Sequence, residues 1–186
     1  MISLEKKSPI NLTKQAPGLN NIRVGLSWDE HLINGKSADA DSSVFMIGEN
    51  GKIPSEGYFV FYNNLISADG AIQHHGDNRT GAGDGDDESL DICLSKISIE
   101  IQQILIAISI HNAEEGFNFG NTKNASVRLY NMDTNSGICE YQLTEDHPQS
   151  DSIIIGRFFR NGSDWQFEAM TTSFTGGLQA CLNSYA

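Results

Sequence analysis

The sequence lacks any long hydrophobic run. No stretch approaches the roughly 20 consecutive apolar residues that a transmembrane helix requires, and residues 1–12 do not contain the apolar core of a signal peptide. We therefore expect a soluble, cytoplasmic protein that does not insert directly into a membrane. A chain of 186 residues can bury a full hydrophobic core, so residues 1–186 are predicted to form a single domain.

Cysteine is scarce as well. Cys93, Cys139 and Cys181 are widely spaced and odd in number, and no CxxC pair occurs. This pattern excludes a disulfide framework and gives no sign of a zinc knuckle. We predict reduced and mostly buried cysteines that pack as small hydrophobic side chains.

Basic residues are few, since 12 Lys and Arg stand against 24 Asp and Glu, for a formal net charge of −12. This charge repels phosphate backbones and anionic lipid headgroups, so a nucleic-acid partner is not expected. The acidic residues are also unevenly distributed: residues 77–88 contain five of them and one basic residue, Arg79. Repulsion on this scale requires either a bound cation or a solvated, disordered loop.

Short apolar runs rich in β-branched residues are abundant, and they are typical of strands. They cover residues 22–28, 43–47, 58–62, 104–110, 126–130, 152–159 and 165–172, with turn-forming pairs such as Asn34-Gly35 and Asn161-Gly162 between them. The pattern predicts an all-β fold, a two-sheet β-sandwich. Only residues 177–185 have the spacing of a short amphipathic helix, at the C-terminal end.

A weak internal repeat refines this prediction. Residues 22–29 match residues 104–111, and residues 43–46 match residues 126–129. The match predicts two related β-units that pack face to face, with the acidic segment at their junction. Alternatively, the match reflects only the general similarity of β-protein sequences to one another and not an internal repeat.

Residues 76–88 combine carboxylate oxygens with glycines, which allow the backbone to turn its carbonyl groups inward. Ca²⁺ binds six to eight such oxygens, whereas zinc and copper prefer imidazole or thiolate, and magnesium prefers few protein ligands. An EF-hand is excluded because Arg79 takes the third position from Asp77, and no Lys-Ser or Lys-Thr follows the glycines as in a P-loop. The sequence therefore favours a calcium site here, with a solvated acidic loop as the alternative.

Further oxygen donors precede and follow other predicted strands. Asp39 and Asp41 alternate just before one strand, so their side chains point the same way if the chain is extended, and Asn63-Asn64 end another strand. These residues could complete a coordination shell. His111 lies beside Glu114 and Glu115 and invites a general-base interpretation, but we favour a hydrogen-bonded strand-end residue.

Several motifs resemble the tellurium-resistance TerD family. The central signature consists of Phe61-Tyr62-Asn63-Asn64-Leu65, Ser67-Ala68-Asp69-Gly70, Gly76-Asp77-Asn78-Arg79-Thr80-Gly81 and Gly83-Asp84-Gly85-Asp86-Asp87-Glu88. The opening run Val24-Gly25-Leu26-Ser27-Trp28-Asp29 and the late runs Tyr141-Gln142-Leu143-Thr144-Glu145-Asp146 and Thr175-Gly176-Gly177-Leu178 extend the resemblance over nearly the whole chain.

The resemblance implies a calcium-binding β-sandwich of bacterial tellurite resistance and related stress responses, without a known reaction. It also implies work with other Ter-type proteins and with a membrane partner of the same system, as expected of an adaptor. The ligands that it implies are Asp39, Asp41, Asn63, Asp77, Asn78, Asp84, Asp86, Asp87 and Glu88.

The chain departs from the family pattern at two places. Asn112 stands where the family has an Asp after the histidine, which removes one negative charge near the predicted site. Residues 39–43 read DADSS instead of DLDAS, so both carboxylates are kept.

Two other functions remain open from the sequence. One is a peripheral membrane module in which calcium bridges the sandwich to anionic lipid, although Arg79 is the one basic residue of the loop. The other is an enzyme with calcium as a Lewis acid, which would need an open coordination position and a nearby base. We favour the adaptor, which has no catalytic activity of its own.

Overall fold

A computed structural model describes residues 2–3, 10–11, 16–29, 32–76, 86–142 and 148–186. In this part of the chain the strands are β1 (Ile2–Ser3), β2 (Ile10–Asn11), β3 (Asn21–Asp29), β4 (Leu32–Ile33), β5 (Lys36–Ser37), β6 (Ala40–Gly48), β7 (Phe59–Val60), β8 (Ile72–His74), β9 (Glu88–Cys93), β10 (Ile101–Ile110), β11 (Lys123–Asn131), β12 (Ser136–Gln142), β13 (Ser152–Asn161) and β14 (Asp164–Phe174). One helix, α1 (Gly177–Tyr185), follows the last strand.

The strands form a two-sheet sandwich, as the sequence predicts. Sheet A has the order β1-β12-β11-β3-β9-β8, and sheet B has the order β2-β14-β13-β10-β6-β7. A separate small hairpin joins β4 to β5, and its turn residues Asn34 and Gly35 have φ angles of 52° and 80°. Both angles are positive, as the tight Asn-Gly hairpin turn requires.

Alternation of side chains builds the core between the sheets. Ile22, Val24, Leu26 and Trp28 of β3 are buried and face sheet B. Strand β6 is buried along its whole length because its second face is also covered. Its residues Phe45 and Ile47 pack with Cys181 of α1 on the outer face of sheet B, so the helix adds a third layer there.

Helix α1 begins and ends where the sequence predicts. Its first turn has no side-chain cap of its own, since Gly176 occupies the N-cap position. The carboxylate of Asp151 takes that role: it accepts hydrogen bonds from Gly176 N at 3.0 Å and from Gly177 N at 3.0 Å. A loop before β13 therefore anchors the helix to sheet B.

The packing of the two related units differs from the prediction. The matched strands β3 and β10 lie in opposite sheets, and so do the matched strands β6 and β11. Strand β11 pairs with β3, whereas β6 pairs with β10. Each sheet therefore contains strands of both units, and the units interlock instead of packing face to face.

The strand predicted over residues 58–62 is confirmed only at Phe59–Val60. Tyr58 ends a short 3-10 turn, and Phe61 and Asn64 exchange backbone hydrogen bonds that close a tight turn. Strands β9 and β12 are not among the predicted strands: β9 continues directly from the acidic segment, and Ser136 and Gly137 at the start of β12 are turn-forming residues.

The cysteines are free, with Cys139 and Cys181 buried and Cys93 half-buried. None of the helices in the described ranges has the length and apolar character that a membrane span requires.

Candidate metal centre

The described residues that flank the acidic segment lie at one end of the sandwich, which we call the acidic end. In the sequence the segment follows β8, which stops at His74, and leads into β9, which begins at Glu88. Leu26 of β3 pairs with Glu88, and Ala40 of β6 pairs with Ile110 of β10. The register thus brings the start of β6 and the end of β10 to the end of the sandwich where the segment returns.

Three of the nine predicted ligands, Asp77, Asn78 and Asp84, lie outside the described residues. The other six are Asp39, Asp41, Asn63, Asp86, Asp87 and Glu88. Among the residues that the structure describes, no group of three or more His, Cys, Asp or Glu side chains is arranged to hold a metal. The predicted shell also includes Asp77, Asn78 and Asp84, which lie outside that part of the chain.

Glu88 points inward, between the sheets. Its side chain is 2% exposed, and Oε2 accepts hydrogen bonds from Ser42 N at 2.7 Å and from Ser42 Oγ at 2.8 Å. These bonds join β9 of sheet A to β6 of sheet B. The other oxygen, Oε1, is buried and receives no hydrogen bond from any described residue. A buried carboxylate oxygen in that condition costs free energy unless a cation or another donor reaches it.

His74 completes this buried polar cluster. Gly76 N donates to His74 Nδ1 at 3.0 Å, so the ring carries its proton on Nε2. Nε2 lies 3.2 Å from Ser42 O, 3.1 Å from Ser42 Oγ and 3.5 Å from Glu88 Oε2. The imidazole therefore holds Ser42 and Glu88 in place, and its ring nitrogens are both engaged by protein atoms.

Asp87 connects the segment to β3. Asp87 N donates to Leu26 O at 2.8 Å, and the carboxylate accepts from Trp28 N at 3.0 Å. Burial raises the pKa of the Asp87 carboxyl, the hydrogen bond from Trp28 N lowers it, and repulsion from Asp86, Glu88 and Asp29 raises it further. The net effect is a raised pKa, for which burial is the main cause and the neighbouring carboxylates a smaller one.

Asp86 lies on the other side of sheet A. Gly25 alternates with the core residues Val24 and Leu26, so it faces outward, and a Cβ atom on Gly25 would overlap the carboxyl group of Asp86. Arg128 Nη2 of β11 pairs with Asp86 Oδ1 at 2.5 Å. Asp86 and Glu88 thus lie on opposite faces of the same sheet.

Asp39 and Asp41 lie where β6 begins, next to the end of β10. Asp41 is buried on the outer face of sheet B, with His111 Nδ1 at 3.5 Å from its Oδ2. Asn112 joins the two chain segments: its Oδ1 accepts from Asp39 N at 3.1 Å and its Nδ2 donates to Ser37 O at 2.9 Å. The departure from the family pattern at Asn112 therefore supplies a donor that an Asp would lack.

Asn63 is exposed at the turn after β7. It lines an open groove of about 700 Å³ on the outer face of sheet B, together with Phe59, Phe61 and Leu182 of α1. The neighbouring Asn64 donates its amide to Phe59 O at 2.6 Å, so it stabilises the turn. Among the six described candidates, Asn63 is the one beside this groove.

Sequence reasoning missed four residues of this region: Gly25, Ser42, His74 and Arg128. Ser42 and Arg128 are ordinary polar residues in their strands, and no local signal marks them. His74 is buried, whereas its neighbour His75 turns outward to Asp91, with Nε2 at 2.7 Å from Oδ2, as the alternation of side chains along an extended chain implies. Gly25 belongs to the opening motif of the sequence. Only the fold shows that the absence of a side chain at this position makes room for the carboxyl group of Asp86.

Comparisons with known proteins agree with this architecture. The family model described as TerD domain matches residues 1–185. The chain belongs to the TerD family. This TerD-family chain is 40% identical to the tellurium resistance protein TerD of Serratia marcescens over 185 residues. The alignment covers 99% of this chain and 96% of that protein.

Other relatives widen the family context. General stress protein 16U of Bacillus subtilis (strain 168) is 41% identical over 186 residues, with 99% of this chain and 96% of that protein covered. The crystal structure of a homologue of telluride resistance protein (TerD) from Streptomyces coelicolor A3(2) superposes with a TM-score of 0.75. It is 22% identical and covers 90% of this chain and 96% of that chain, so it supports the fold. The chain is thus a member of a tellurium-resistance and stress-response family.

Proposed function

We propose that this TerD-family protein is a cytoplasmic calcium-binding adaptor of the tellurite-resistance and stress-response system, without catalytic activity of its own. The observation that carries the proposal is the buried oxygen Oε1 of Glu88, which no described donor reaches. Glu88 is the first residue of β9, directly after an oxygen-rich segment. A hard cation would satisfy it.

The donor chemistry fits calcium. Glu88 and Asp87 supply carboxylates from the described part of the segment, and Asp77, Asn78 and Asp84 are oxygen donors in the rest of it. Asp39 and Asp41 lie at the start of β6 in sheet B, but Asp41 is on the outer face of that sheet and so lies on the other side of it from Glu88. The nearest imidazole, His74, has both ring nitrogens in hydrogen-bond distance of protein atoms, which disfavours zinc.

An adaptor role is supported by the enclosure of the site and by the family. Glu88 is buried between two sheets, so an ion held there would contribute to the structure instead of meeting a substrate. The relatives include a tellurium resistance protein and a general stress protein. We propose other Ter-type proteins and a membrane protein of the same system as partners.

Calorimetric titration of the metal-free protein with Ca²⁺, Mg²⁺ and Zn²⁺ tests the metal. We expect calcium to bind most tightly, and Glu88→Gln to weaken its binding by at least about tenfold, because Gln keeps the bond to Ser42 N but loses the charge. Glu49→Gln removes the same charge from an exposed turn and should leave binding unchanged. Tighter binding of magnesium or zinc, or no effect of Glu88→Gln, would contradict the assignment.

A second function, a calcium-dependent peripheral membrane module, has one observation in its favour. The hairpin β4–β5 precedes β6 and forms a separate two-stranded sheet, and its Leu32 is 57% exposed. Co-sedimentation with vesicles of anionic lipid, with calcium and with EGTA, separates the two functions. The adaptor proposal expects no calcium-dependent sedimentation, since the net charge of −12 opposes anionic lipid.

A further inference from the structure

The outer face of sheet A has a gap at Gly25, which we call the notch. Asp86, at the end of the acidic segment, occupies it. Gly25 is buried although it faces outward, because the Asp86 carboxyl group lies where its side chain would be. In the sheet register Gly25 lies between Arg128 of β11 and Ser89 of β9. A residue with any side chain at position 25 would fill the notch.

Arg128 closes the notch from one side. Its guanidinium pairs with Asp86, and it also lies over the ring of Tyr130, 5.9 Å from the centroid. Burial lowers the pKa of Arg128, but attraction to Asp86 and their hydrogen bond outweigh burial, so the pKa is raised. Asp86 and Arg128 are both largely shielded from solvent, with side-chain exposures of 18% and 27%.

The chain passes from the outer face to the interior within three residues. Asp86 is held outside over Gly25, Asp87 pairs with Leu26 O and Trp28 N, and Glu88 enters the space between the sheets. The position of Asp86 therefore determines where β9 begins and where the Glu88 carboxylate lies between the sheets.

We propose that Asp86 is a latch and not a calcium ligand, and that Gly25 and Arg128 act through it as positioning residues for the calcium site. The proposal rests on the proposed function for its effect on calcium. A calcium ion holds its ligand oxygens at about 2.3–2.6 Å. Glu88 faces the interior and Asp86 is engaged on the opposite face of sheet A, so one ion cannot take both carboxylates in this arrangement.

The variant Arg128→Gln distinguishes a latch from a ligand by the sign of its effect. If Asp86 is a latch, loss of Arg128 releases it and weakens calcium binding by about tenfold, as for other groups that orient metal ligands. If Asp86 is a ligand for which Arg128 competes, the same change tightens binding. Arg23→Gln is the matched control, because Arg23 lies on the same face and pairs with Asp91 at 2.7 Å. It removes an equal charge, which also attracts Asp86, but leaves the Arg128–Asp86 ion pair in place, so its effect on calcium affinity gives the contribution of charge without loss of the pair.

Gly25→Ala tests the notch with Arg128 intact, and it should weaken calcium binding about as much as Arg128→Gln does. A readout without calcium separates the latch from the proposed function: hydrogen exchange of the Asp87 amide in EGTA should be faster in Arg128→Gln than in Arg23→Gln and in the original protein. If the original protein binds no calcium but this difference is seen, the calcium proposal fails and the latch stands. Equal exchange in the three proteins, or tighter calcium binding in Arg128→Gln, overturns the latch even if Gly25→Ala does not fold.

Discussion

Asp86, Asp87 and Glu88 are consecutive acidic residues with three different environments. Asp86 is paired with Arg128, Asp87 accepts a backbone hydrogen bond from Trp28, and Glu88 is buried with Ser42 and His74. Of these three residues, Glu88 is the one with a buried oxygen that receives no hydrogen bond from the described residues. The chemistry of the site therefore depends on where each carboxylate is delivered, and not on the number of acidic residues.

The raised pKa of Asp87 predicts a pH dependence of the metal-free protein. An acid with a raised folded-state pKa binds more protons in the folded than in the unfolded chain, so its contribution to stability falls as pH rises from the ordinary Asp value through the raised value. Asp87→Asn keeps an acceptor for Trp28 N and removes the charge. In EGTA at pH 7 we expect its Tm to exceed that of the original protein by about 1–4 °C, and the difference should vanish at acidic pH where Asp87 is protonated.

Thermal melts of both proteins across the pH range measure this difference. A lower Tm for Asp87→Asn at pH 7 in EGTA would show that the charged carboxylate stabilises the metal-free fold, contrary to the cause given for its pKa.

His111 belongs to the surroundings of the site in our interpretation. Its ring lies 3.5 Å from Asp41 Oδ2 and packs edge-on against Tyr62, with ring centroids 5.6 Å apart. A hard cation gains little from imidazole, so His111→Gln should leave calcium affinity within about threefold. Calorimetry of the variant checks this, and a large loss of affinity would make His111 a ligand and would revive a catalytic role.

At the scale of elements, side chains from distant loops hold the ends of a strand and of the helix in place. Asn112 ties the end of β10 to the segment before β6, and Asp151 ties the loop before β13 to the first turn of α1. Each bridge satisfies backbone groups that the local element leaves open. These contacts explain how short strands and a short helix keep fixed positions around the core.

The cap on α1 is testable. Asp151→Ala removes the acceptor of the Gly176 and Gly177 amides and should cost about 1–2 kcal/mol, which lowers the Tm by roughly 3–6 °C. Asp151→Asn retains one carbonyl oxygen and should lose less. If Asp151→Ala melted at the original temperature, solvent would cap the helix equally well and the loop would not anchor it.

At the scale of the whole molecule, the interlocked units link the acidic end to the entire sandwich. Residues from β6 in sheet B and from β9 in sheet A meet through Ser42 and Glu88. The unfolded chain separates these donors, so it should bind calcium poorly, and the folded state gains RT ln(1 + [L]/Kd).

Calcium should therefore stabilise the protein. At a hundredfold excess over Kd the gain is about 2.7 kcal/mol, which raises the Tm by roughly 5–10 °C for a chain of this size. Differential scanning calorimetry in calcium, in magnesium and in EGTA measures it, and Glu88→Gln, whose calcium binding is weakened at least about tenfold, should lose about half of the increase or more. Identical melting temperatures in calcium and EGTA would mean that the acidic segment is a solvated surface feature.

Much of the architecture follows from the sequence alone. The alternation of apolar residues in β3 and β10, the turn-forming pairs and the spacing of Leu178, Cys181, Leu182 and Tyr185 indicate two sheets and one C-terminal helix, because these signals depend on neighbours along the chain. The motifs of residues 61–88 likewise indicate the family and point to the acidic end.

Only the tertiary structure determines which side chains of the site contact each other. Ser42 and Glu88 are 46 residues apart and Asp86 and Arg128 are 42 residues apart, so neither contact has a local signal. Each arises because β6 and β9 face each other across the core and because β11 pairs with β3 between the two halves of the chain. Local periodicity determines which face of a strand is buried, whereas the order of strands in the sheets determines which carboxylate meets an arginine and which remains available to a cation.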